Sequence, residues 1–406
     1  MSKLVIFVIP FQKISVAQFL QPLMALEGIR TAIITQDPIY HFAASVQERV
    51  PMVRVDEITD AAALLAAARQ LQNHFGTPHR ILAINEQIQI PVAQVREALG
   101  VEGMSSEAIK NFRDKALMKE TFRKAGVPCA RHVAVYDKKT ARDFVEEVGF
   151  PVCLKPIDGA AAQATFKVET PEILEEILHA SSPTSKRPVQ LEEFITGDES
   201  SFETLSVQGE PLWHSLTHYD PPPLNVVANP WIQWRVVSPV DVDAPRYDDI
   251  KEASCQALKC LGMETGLTHL EWFRREDGSI AINEVAARPP GAQITTLMNR
   301  AHDADLFRIW AHMMVHDEIL PIPPRRYATG AAYLRGLGGA RVNAVHGLDV
   351  LNSLGEMVTD VTLPQVGQAA SNSYEGEGFI IVRHPETETV REALHEITDR
   401  IRVEMI

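Results

Sequence analysis

Apolar runs alternate with amphipathic segments through the first hundred residues. Strands are predicted at residues 4–9, 30–35 and 81–84, and helices at 16–27, 60–75 and 90–99. Because strands that alternate with helices form parallel sheets with right-handed crossovers, this stretch predicts an α/β domain over residues 1–104. No GxGxxG follows the first strand, so a dinucleotide site of that type is not predicted.

The pattern changes after residue 105, where the strands and helices become more polar. Residues 106–124 predict one charged amphipathic helix, which ends at Gly126 and Pro128. The segment 219–234 holds four prolines and two tryptophans and predicts a long ordered loop. The fold class is therefore α/β, α+β in its central part, with further units expected at 105–200, 201–325 and 326–406.

Composition and charge narrow the classes of function. The chain of 406 residues has 39 Lys and Arg against 53 Asp and Glu, a net charge of −14, which argues against nucleic acid and anionic membranes as partners. No run of about 18 apolar residues occurs, and Pro10 ends the first apolar run too early for a signal peptide. The four cysteines form no CxxC pair and predict reduced thiols in a cytoplasmic protein.

Two carboxylates take mirrored positions around a predicted β-hairpin. If Asp277-Gly278 is a two-residue turn, Glu271 and Glu284 face each other with Cβ atoms about 5 Å apart. Like charges at that spacing destabilise a hairpin unless a cation lies between them. Mg²⁺ is a suitable cation, because it is usually held by one or two carboxylates together with phosphate oxygens of a substrate. Arg288 follows Glu284 by an even number of residues, so along a strand it would point to the same face. We therefore expect it near the same phosphate group. The alternative is two solvated glutamates on an exposed sheet face.

Lysines and small residues suggest a phosphate site upstream of this hairpin. Lys155 ends an apolar strand and precedes the small-residue turn 158–165, where backbone N–H groups can approach an anion. Lys115, on the preceding helix, is a second candidate cation, although a lysine taken singly in such a position is more often a surface residue. The carboxylates in 191–199 suit an adenine edge and a ribose diol, or simply an acidic turn after a strand.

The order of these motifs resembles the ATP-grasp superfamily, in its carboxylate–amine ligase branch, and is similar to bacterial L-amino acid ligases. The resemblance runs from about 111 to 304 and rests on four pieces, at 113–128, 150–156, 192–199 and 282–291. It implies an ATP-grasp fold in which 1–104 is the N-terminal parallel α/β domain, 105–200 the lid and nucleotide-binding subdomain, 201–325 the catalytic subdomain, and 326–406 a C-terminal mixed subdomain.

The resemblance also implies roles for individual residues. The ATP phosphates would be bound by Lys115, Lys155 and the loop of Gly159, Ala160, Ala161, Ala162 and Gln163. Glu192, with backbone at Glu193 and Ile195, would hold adenine, and Glu199 the ribose. Glu271 and Glu284 would bind Mg²⁺, and Arg288 would contact the acyl phosphate or the substrate carboxylate, with Arg235 as a weaker candidate for stabilising the oxyanion. The sequence departs from the family pattern at two places. It has Glu284-Val285-Ala286 where many relatives carry Glu-x-Asn at the metal, and its phosphate loop is rich in alanine.

The expected function is that of an ATP- and Mg²⁺-dependent ligase that joins a carboxylate, expected to be an amino acid, to an amine. The alternatives are a purine-type or carboxylase-type ATP-grasp enzyme acting on a small anion, and a nucleotide-binding regulatory protein without turnover. The family leads us to expect a homodimer. The segment 219–234 is either a cover for the acyl substrate or a rigid surface loop, and His214, His218 and His269 are either general bases or packed histidines.

Overall fold

The computed structural model describes residues 2–157, 165–229, 231–371 and 373–406. The N-terminal domain contains β1 (Lys3–Ile9), α1 (Ile14–Met24), β2 (Ile29–Thr35), α2 (Ala44–Gln47), β3 (Met52–Arg54), α3 (Ala61–Phe75), β4 (Pro78–Leu82) and α4 (Gln89–Leu99). Its strands form a parallel sheet in the order β3-β2-β1-β4, which confirms the predicted α/β architecture. The short edge strand β3 was not predicted, because its three residues carry little periodicity.

The second unit is built on an antiparallel sheet. It contains α5 (Ser106–Arg113), α6 (Lys115–Ala125), β5 (His132–Val135), α7 (Lys138–Val148), β6 (Val152–Pro156), β7 (Phe166–Val168), α8 (Pro171–Ser181) and β8 (Val189–Glu193). The strand order is β5-β8-β6-β7, and α7 and α8 share a core with this sheet.

The prediction of one helix over 106–124 is wrong. Asp114 has an extended backbone (φ −93°, ψ 102°), and its carboxylate accepts a hydrogen bond from Leu117 N at 3.0 Å. An aspartate that caps a new helix in this way ends the previous one. The break makes Lys115 the first residue of α6.

The remaining elements form one eight-stranded sheet, a separate two-stranded sheet and their helices. They are β9 (Asp198–Val207), β10 (Glu210–Asp220), α9 (Pro223–Ala228), β11 (Arg235–Ser238), α10 (Asp248–Leu261), β12 (Gly266–Arg274), β13 (Ile280–Ala286), α11 (Ile294–His302), α12 (Leu306–His316), β14 (Ala328–Leu334), β15 (Val342–His346), α13 (Val350–Leu354), β16 (Val358–Thr362), β17 (Gly378–His384), α14 (Thr387–Arg400) and β18 (Arg402–Met405). The sheet order β13-β12-β9-β10-β11-β14-β17-β16 joins strands from 201–325 and 326–406.

The two faces of this eight-stranded sheet pack against different partners. One face, called the site face below, packs on α11, α12 and the N-terminal domain through Trp234, Val236 and Tyr333. The opposite face packs on α5, α6 and α10, and further along on α14. Since side chains alternate between faces along a strand, residue parity on each strand decides which layer a polar group joins.

The segment 219–234 is not one long loop, as its prolines had suggested. Tyr219 and Asp220 end β10, and α9 follows within the segment. Trp234 is 1% exposed, stacks on Tyr333 with ring centroids 4.6 Å apart, and donates to Pro221 O at 3.1 Å. Trp234 is therefore part of the core, whereas Trp231 is 63% exposed.

The hairpin of β12 and β13 has the predicted pairing but a different turn. Arg275 N donates to Ser279 O at 2.8 Å, so the loop has three residues, Glu276-Asp277-Gly278, with Gly278 at φ +84°. Asn283 then forms a β-bulge that moves the register back by one residue. Glu271 consequently faces Glu284, as expected, although the two-residue loop was wrong.

No helix in the described ranges is long and apolar enough to cross a membrane. The four cysteines are free, and Cys255 is exposed.

Candidate active site

Three carboxylates lie on three neighbouring strands of the site face. Glu271 on β12 is directly opposite Glu284 on β13. Glu199 on β9 pairs with Phe273, which has the parity of Glu271, so it belongs to the same layer. Burial, together with the charges of Glu271 and Glu284, raises the pKa of Glu199 well above its usual range. Glu199 therefore favours its neutral form beside the other two carboxylates.

The lysines predicted from sequence lie beside this acidic layer. Lys115 Nζ is 2.8 Å from Glu284 Oε2. Lys155 Nζ is 3.0 Å from Glu192 Oε1 and 3.1 Å from Asn283 Oδ1. The bulge at Asn283 thus gives Lys155 a partner on the same hairpin that carries Glu284. The structure therefore brings the two lysines and the two metal-ligand candidates together.

A third lysine, which sequence reasoning missed, completes the cluster. Lys119 is fully buried, and its Nζ is 3.1 Å from Glu192 Oε2. Burial alone would raise the pKa of Glu192, but the charges of Lys119 and Lys155 lower it to about 2. Lys119 follows Lys115 by four residues on α6, and this spacing was the available signal.

The expected adenine site is only partly formed. Both oxygens of Glu192 contact lysines, so in this structure Glu192 does not present an oxygen for the expected contact with adenine. Glu193 is held by Arg131 and Arg275, each at 2.7 Å, and its N–H donates to Arg131 O. Ile195 follows β8 and is half-buried. The predicted phosphate-loop residues 159–163 lie outside the described residues.

Arg288 is held by a residue of the N-terminal domain. Its Nε is 2.5 Å from Glu86 Oε2, and Glu86 Oε1 is 2.6 Å from Arg113. Burial opposes ionisation of Glu86, but the charges of Arg288 and Arg113 keep its pKa below the ordinary value. Glu86 was missed, although it follows the carboxyl end of β4, where α/β proteins commonly bind ligands. The N-terminal domain thus contributes directly to the site.

Arg235 does not lie in this layer. It pairs with Asp220 across β10 and β11, whereas the neighbouring Tyr219 shares the parity of the site face. Arg235 Nε is 3.0 Å from Asp220 Oδ2, and one terminal nitrogen donates to Thr398 on α14 at 2.9 Å. The structure therefore places Arg235 on the opposite face, away from the oxyanion position expected for it.

Of the three candidate histidines, the structure brings only His269 to the site face. His269 Nδ1 is 2.8 Å from Glu203 Oε1, and Nε2 is 3.6 Å from Glu271 Oε1. Burial would lower the pKa of His269, but the hydrogen bond to Glu203 and the charges of both nearby carboxylates raise it to about 9. A ring whose two nitrogens both face carboxylates favours its protonated form, which argues against a general base.

The other two histidines lie on the opposite face. His218 hydrogen-bonds to the hydroxyl groups of Ser200 at 2.8 Å and Tyr247 at 2.9 Å. His214 stacks on Phe202, with ring centroids 5.1 Å apart. Neither ring is positioned to act at the acidic layer.

Tyr374 adds an aromatic wall that the sequence did not indicate. Its ring meets Trp234 edge-on, with centroids 4.6 Å apart. Burial, followed by the charge of Glu271, raises its pKa, while Arg288 acts in the opposite direction.

Comparison with known proteins finds one matching family model and several curated relatives. Residues 120–301 match the family model described as the ATP-grasp domain. The chain is 24% identical over 308 residues to the L-arginine-specific L-amino acid ligase of Bacillus subtilis, covering 73% of this chain and 72% of the relative. It is 26% identical over 263 residues to an alanine–anticapsin ligase of Bacillus subtilis, covering 59% of this chain and 54% of the relative, so it spans about half the length of that protein.

Solved structures agree on the fold. An L-amino acid ligase from Bacillus licheniformis superposes with a TM-score of 0.79 at 17% identity, covering 100% of this chain and 99% of the other. N5-carboxyaminoimidazole ribonucleotide synthetase from Thermotoga maritima gives 0.71 at 17% identity, with both chains fully covered. At these identities the likeness shows the fold alone.

Proposed function

We propose that the protein is an ATP- and Mg²⁺-dependent ligase that joins the carboxylate of an amino acid to an amine, because residues 120–301, where the motifs lie, match the family model of the ATP-grasp domain. One observation carries the proposal: Glu271, Glu284, Lys115, Lys155 and Arg288 converge beside one face of one sheet, with each cation next to a carboxylate. The names of the relatives above support an amino acid as the carboxylate substrate.

The acidic layer suits a divalent cation. Glu271 and Glu284 offer the oxygen ligands that Mg²⁺ prefers, and Glu199 lies in the same layer on the neighbouring strand. In the described ranges, no three His, Cys, Asp or Glu side chains form a closed metal cage. A site with two protein carboxylates is typical of Mg²⁺ that shares its remaining positions with water and nucleotide phosphates.

The chain's own residues would then do electrostatic work. Mg²⁺, when bound, supplies charge neutralisation at the ATP phosphates. Lys115 and Lys155 lie where they can exchange a carboxylate contact for a phosphate oxygen. Arg288, whose Nε is fixed by Glu86, is positioned to bind the substrate carboxylate and later the oxyanion.

The reaction proposed has two steps. A substrate carboxylate oxygen bonds to the γ-phosphorus of ATP as the bond to ADP breaks, which gives an acyl phosphate. The amine nitrogen then bonds to the acyl carbon, the bond between that carbon and the phosphate oxygen breaks to release inorganic phosphate, and the amine's proton passes to water. Tyr374 and the buried Trp234 form an apolar wall that would limit hydrolysis of the acyl phosphate.

Phosphate release from ATP tests the proposal. We expect release with pooled amino acids and MgCl₂, none after EDTA treatment, and a product whose mass is the sum of two substrates less one water. The Glu284→Gln variant serves as the inactive control. Release driven by bicarbonate or an amino-ribonucleotide would indicate the purine-type or carboxylase-type alternative, and nucleotide binding without release would indicate a regulatory protein.

A further inference from the structure

We propose that His269 is a positioning residue that holds the Glu271 carboxylate in the orientation required by a divalent cation, and that Glu203 fixes the His269 ring. The inference rests on the proposed function, because it takes Glu271 as a metal ligand.

The first step concerns a glutamate beneath the site. Glu203 is 0% exposed and belongs to β9, in the interior of the site face. Its Oε1 accepts a hydrogen bond from His269 Nδ1 at 2.8 Å, whereas Oε2 is buried and has no hydrogen-bond partner among the described residues. Because burying a carboxylate is costly, the hydrogen bond of Glu203 to His269 indicates that Glu203 serves to hold that ring.

The second step concerns the direction of the ring. His269 is directly opposite Glu203 across β12 and β9, and it lies two residues before Glu271 on the same face. With Nδ1 bound to Glu203, Nε2 is turned toward Glu271 Oε1 at 3.6 Å and the Tyr219 hydroxyl at 3.4 Å. The separation from Glu271 is longer than a hydrogen bond, and a small side-chain rotation would close it.

The third step is chemical. A metal-bound carboxylate is fixed in place when the oxygen that does not face the metal accepts a hydrogen bond, and outer partners of this kind typically contribute 10–100-fold to metal affinity. The pair of Glu203 and His269 supplies such a partner from a rigid strand. Glu284 receives the corresponding contact from Lys115. Each metal-ligand candidate would then have one neighbouring hydrogen-bond donor that sets its orientation.

Two substitutions separate positioning from simple packing. In His269→Asn, the amide can replace Nδ1 at Glu203 but is too short to reach Glu271. In His269→Gln, the longer amide can reach toward Glu271. A positioning role therefore predicts that Gln retains more metal affinity than Asn, whereas a purely structural role at Glu203 predicts the reverse order.

The readout is Mn²⁺ binding in the presence of ADP, measured by electron paramagnetic resonance on the full-length protein. We expect His269→Asn to raise the Mn²⁺ dissociation constant about tenfold or more, and His269→Gln to restore part of the loss, with ADP binding in EDTA unchanged. The control is His218→Asn, a partly buried histidine of the same sheet whose two hydrogen bonds go to hydroxyl groups on the opposite face. It should bind Mn²⁺ like the wild type.

The outcomes distinguish the two proposals. If Glu284→Gln weakens Mn²⁺ binding and His269→Asn does not, the positioning role is overturned while the ligase proposal stands. If the wild type binds no Mn²⁺ in a nucleotide-dependent way, the metal site itself fails. Should neither His269 variant fold, Glu203→Gln decides: positioning predicts at least a threefold weaker Mn²⁺ affinity, and an unchanged affinity overturns it.

Discussion

The two faces of the eight-stranded sheet each hold a histidine, and the two rings behave in opposite ways. On the site face, His269 lies between two carboxylates, which outweigh its burial and raise its pKa to about 9. On the opposite face, His218 hydrogen-bonds to two hydroxyl groups, and burial lowers its pKa to about 4. The surroundings thus favour the protonated ring on one face and the neutral ring on the other.

The two arginines considered for the oxyanion differ in the same manner. Arg288 meets Glu86 at the candidate site, whereas Arg235 joins Asp220 and Thr398 beneath α14. The contrast shows that residue type does not assign function within this sheet. Strand parity and the neighbouring charges do, because they determine which layer a side chain joins and which protonation state it keeps.

The largest expected effect comes from removing one charge on the site face. Glu284→Gln keeps the shape of the side chain but removes a metal-ligand charge and the ion pair with Lys115. We expect the rate of ATP-dependent phosphate release to fall by about 10³-fold, because an electrostatic contact to the reacting groups is lost. Asp220→Asn on the opposite face is the matched control and should stay within about twofold. If the Glu284→Gln enzyme kept a tenth of the normal activity, the proposal that the site face carries the catalytic residues would be wrong.

The same substitution in Arg288 and Arg235 also tests the difference between the two faces. Arg288→Lys loses the guanidinium geometry that can hold Glu86 and a substrate carboxylate together, so we expect kcat/KM for the carboxylate substrate to fall about 100-fold. Arg235→Lys should leave kcat/KM unchanged and lower the free energy of unfolding by about 1 kcal/mol, through the lost contact with Thr398. Steady-state kinetics and urea unfolding check both variants. Equal kinetic losses would mean that the two faces are not functionally distinct.

These contrasts also explain what the sequence could predict. The pairing of Glu271 with Glu284 followed from local β-hairpin rules, and it survived an incorrect turn length because the bulge at Asn283 compensated for the third loop residue. The break at Asp114 was predictable in principle from its capping preference, but the continuous amphipathic pattern concealed it.

Other features depend on tertiary contacts and could not be predicted in this way. Glu86 meets Arg288 across 202 positions of sequence, and no local rule joins them. The face of Arg235 depends on a strand order, β9-β10-β11, that periodicity does not give. The C-terminal strands extend the central sheet, which is how Tyr374 comes to lie beside Trp234.

The smallest expected effect concerns His218 on the opposite face and its contribution to the free energy of unfolding at acidic pH. His218 has a pKa of about 4 in the folded protein and an ordinary value of 6.5, so between these values the unfolded chain binds more protons. Its contribution to stability is therefore complete above pH 6.5 and is lost as the pH falls toward 4, by about 2 kcal/mol between pH 7 and pH 5. We expect the loss of unfolding free energy between these two pH values to be about 2 kcal/mol smaller in His218→Gln than in the wild type. Urea unfolding at both pH values measures this difference, and an identical loss in the two proteins would show that His218 is not held neutral by its surroundings.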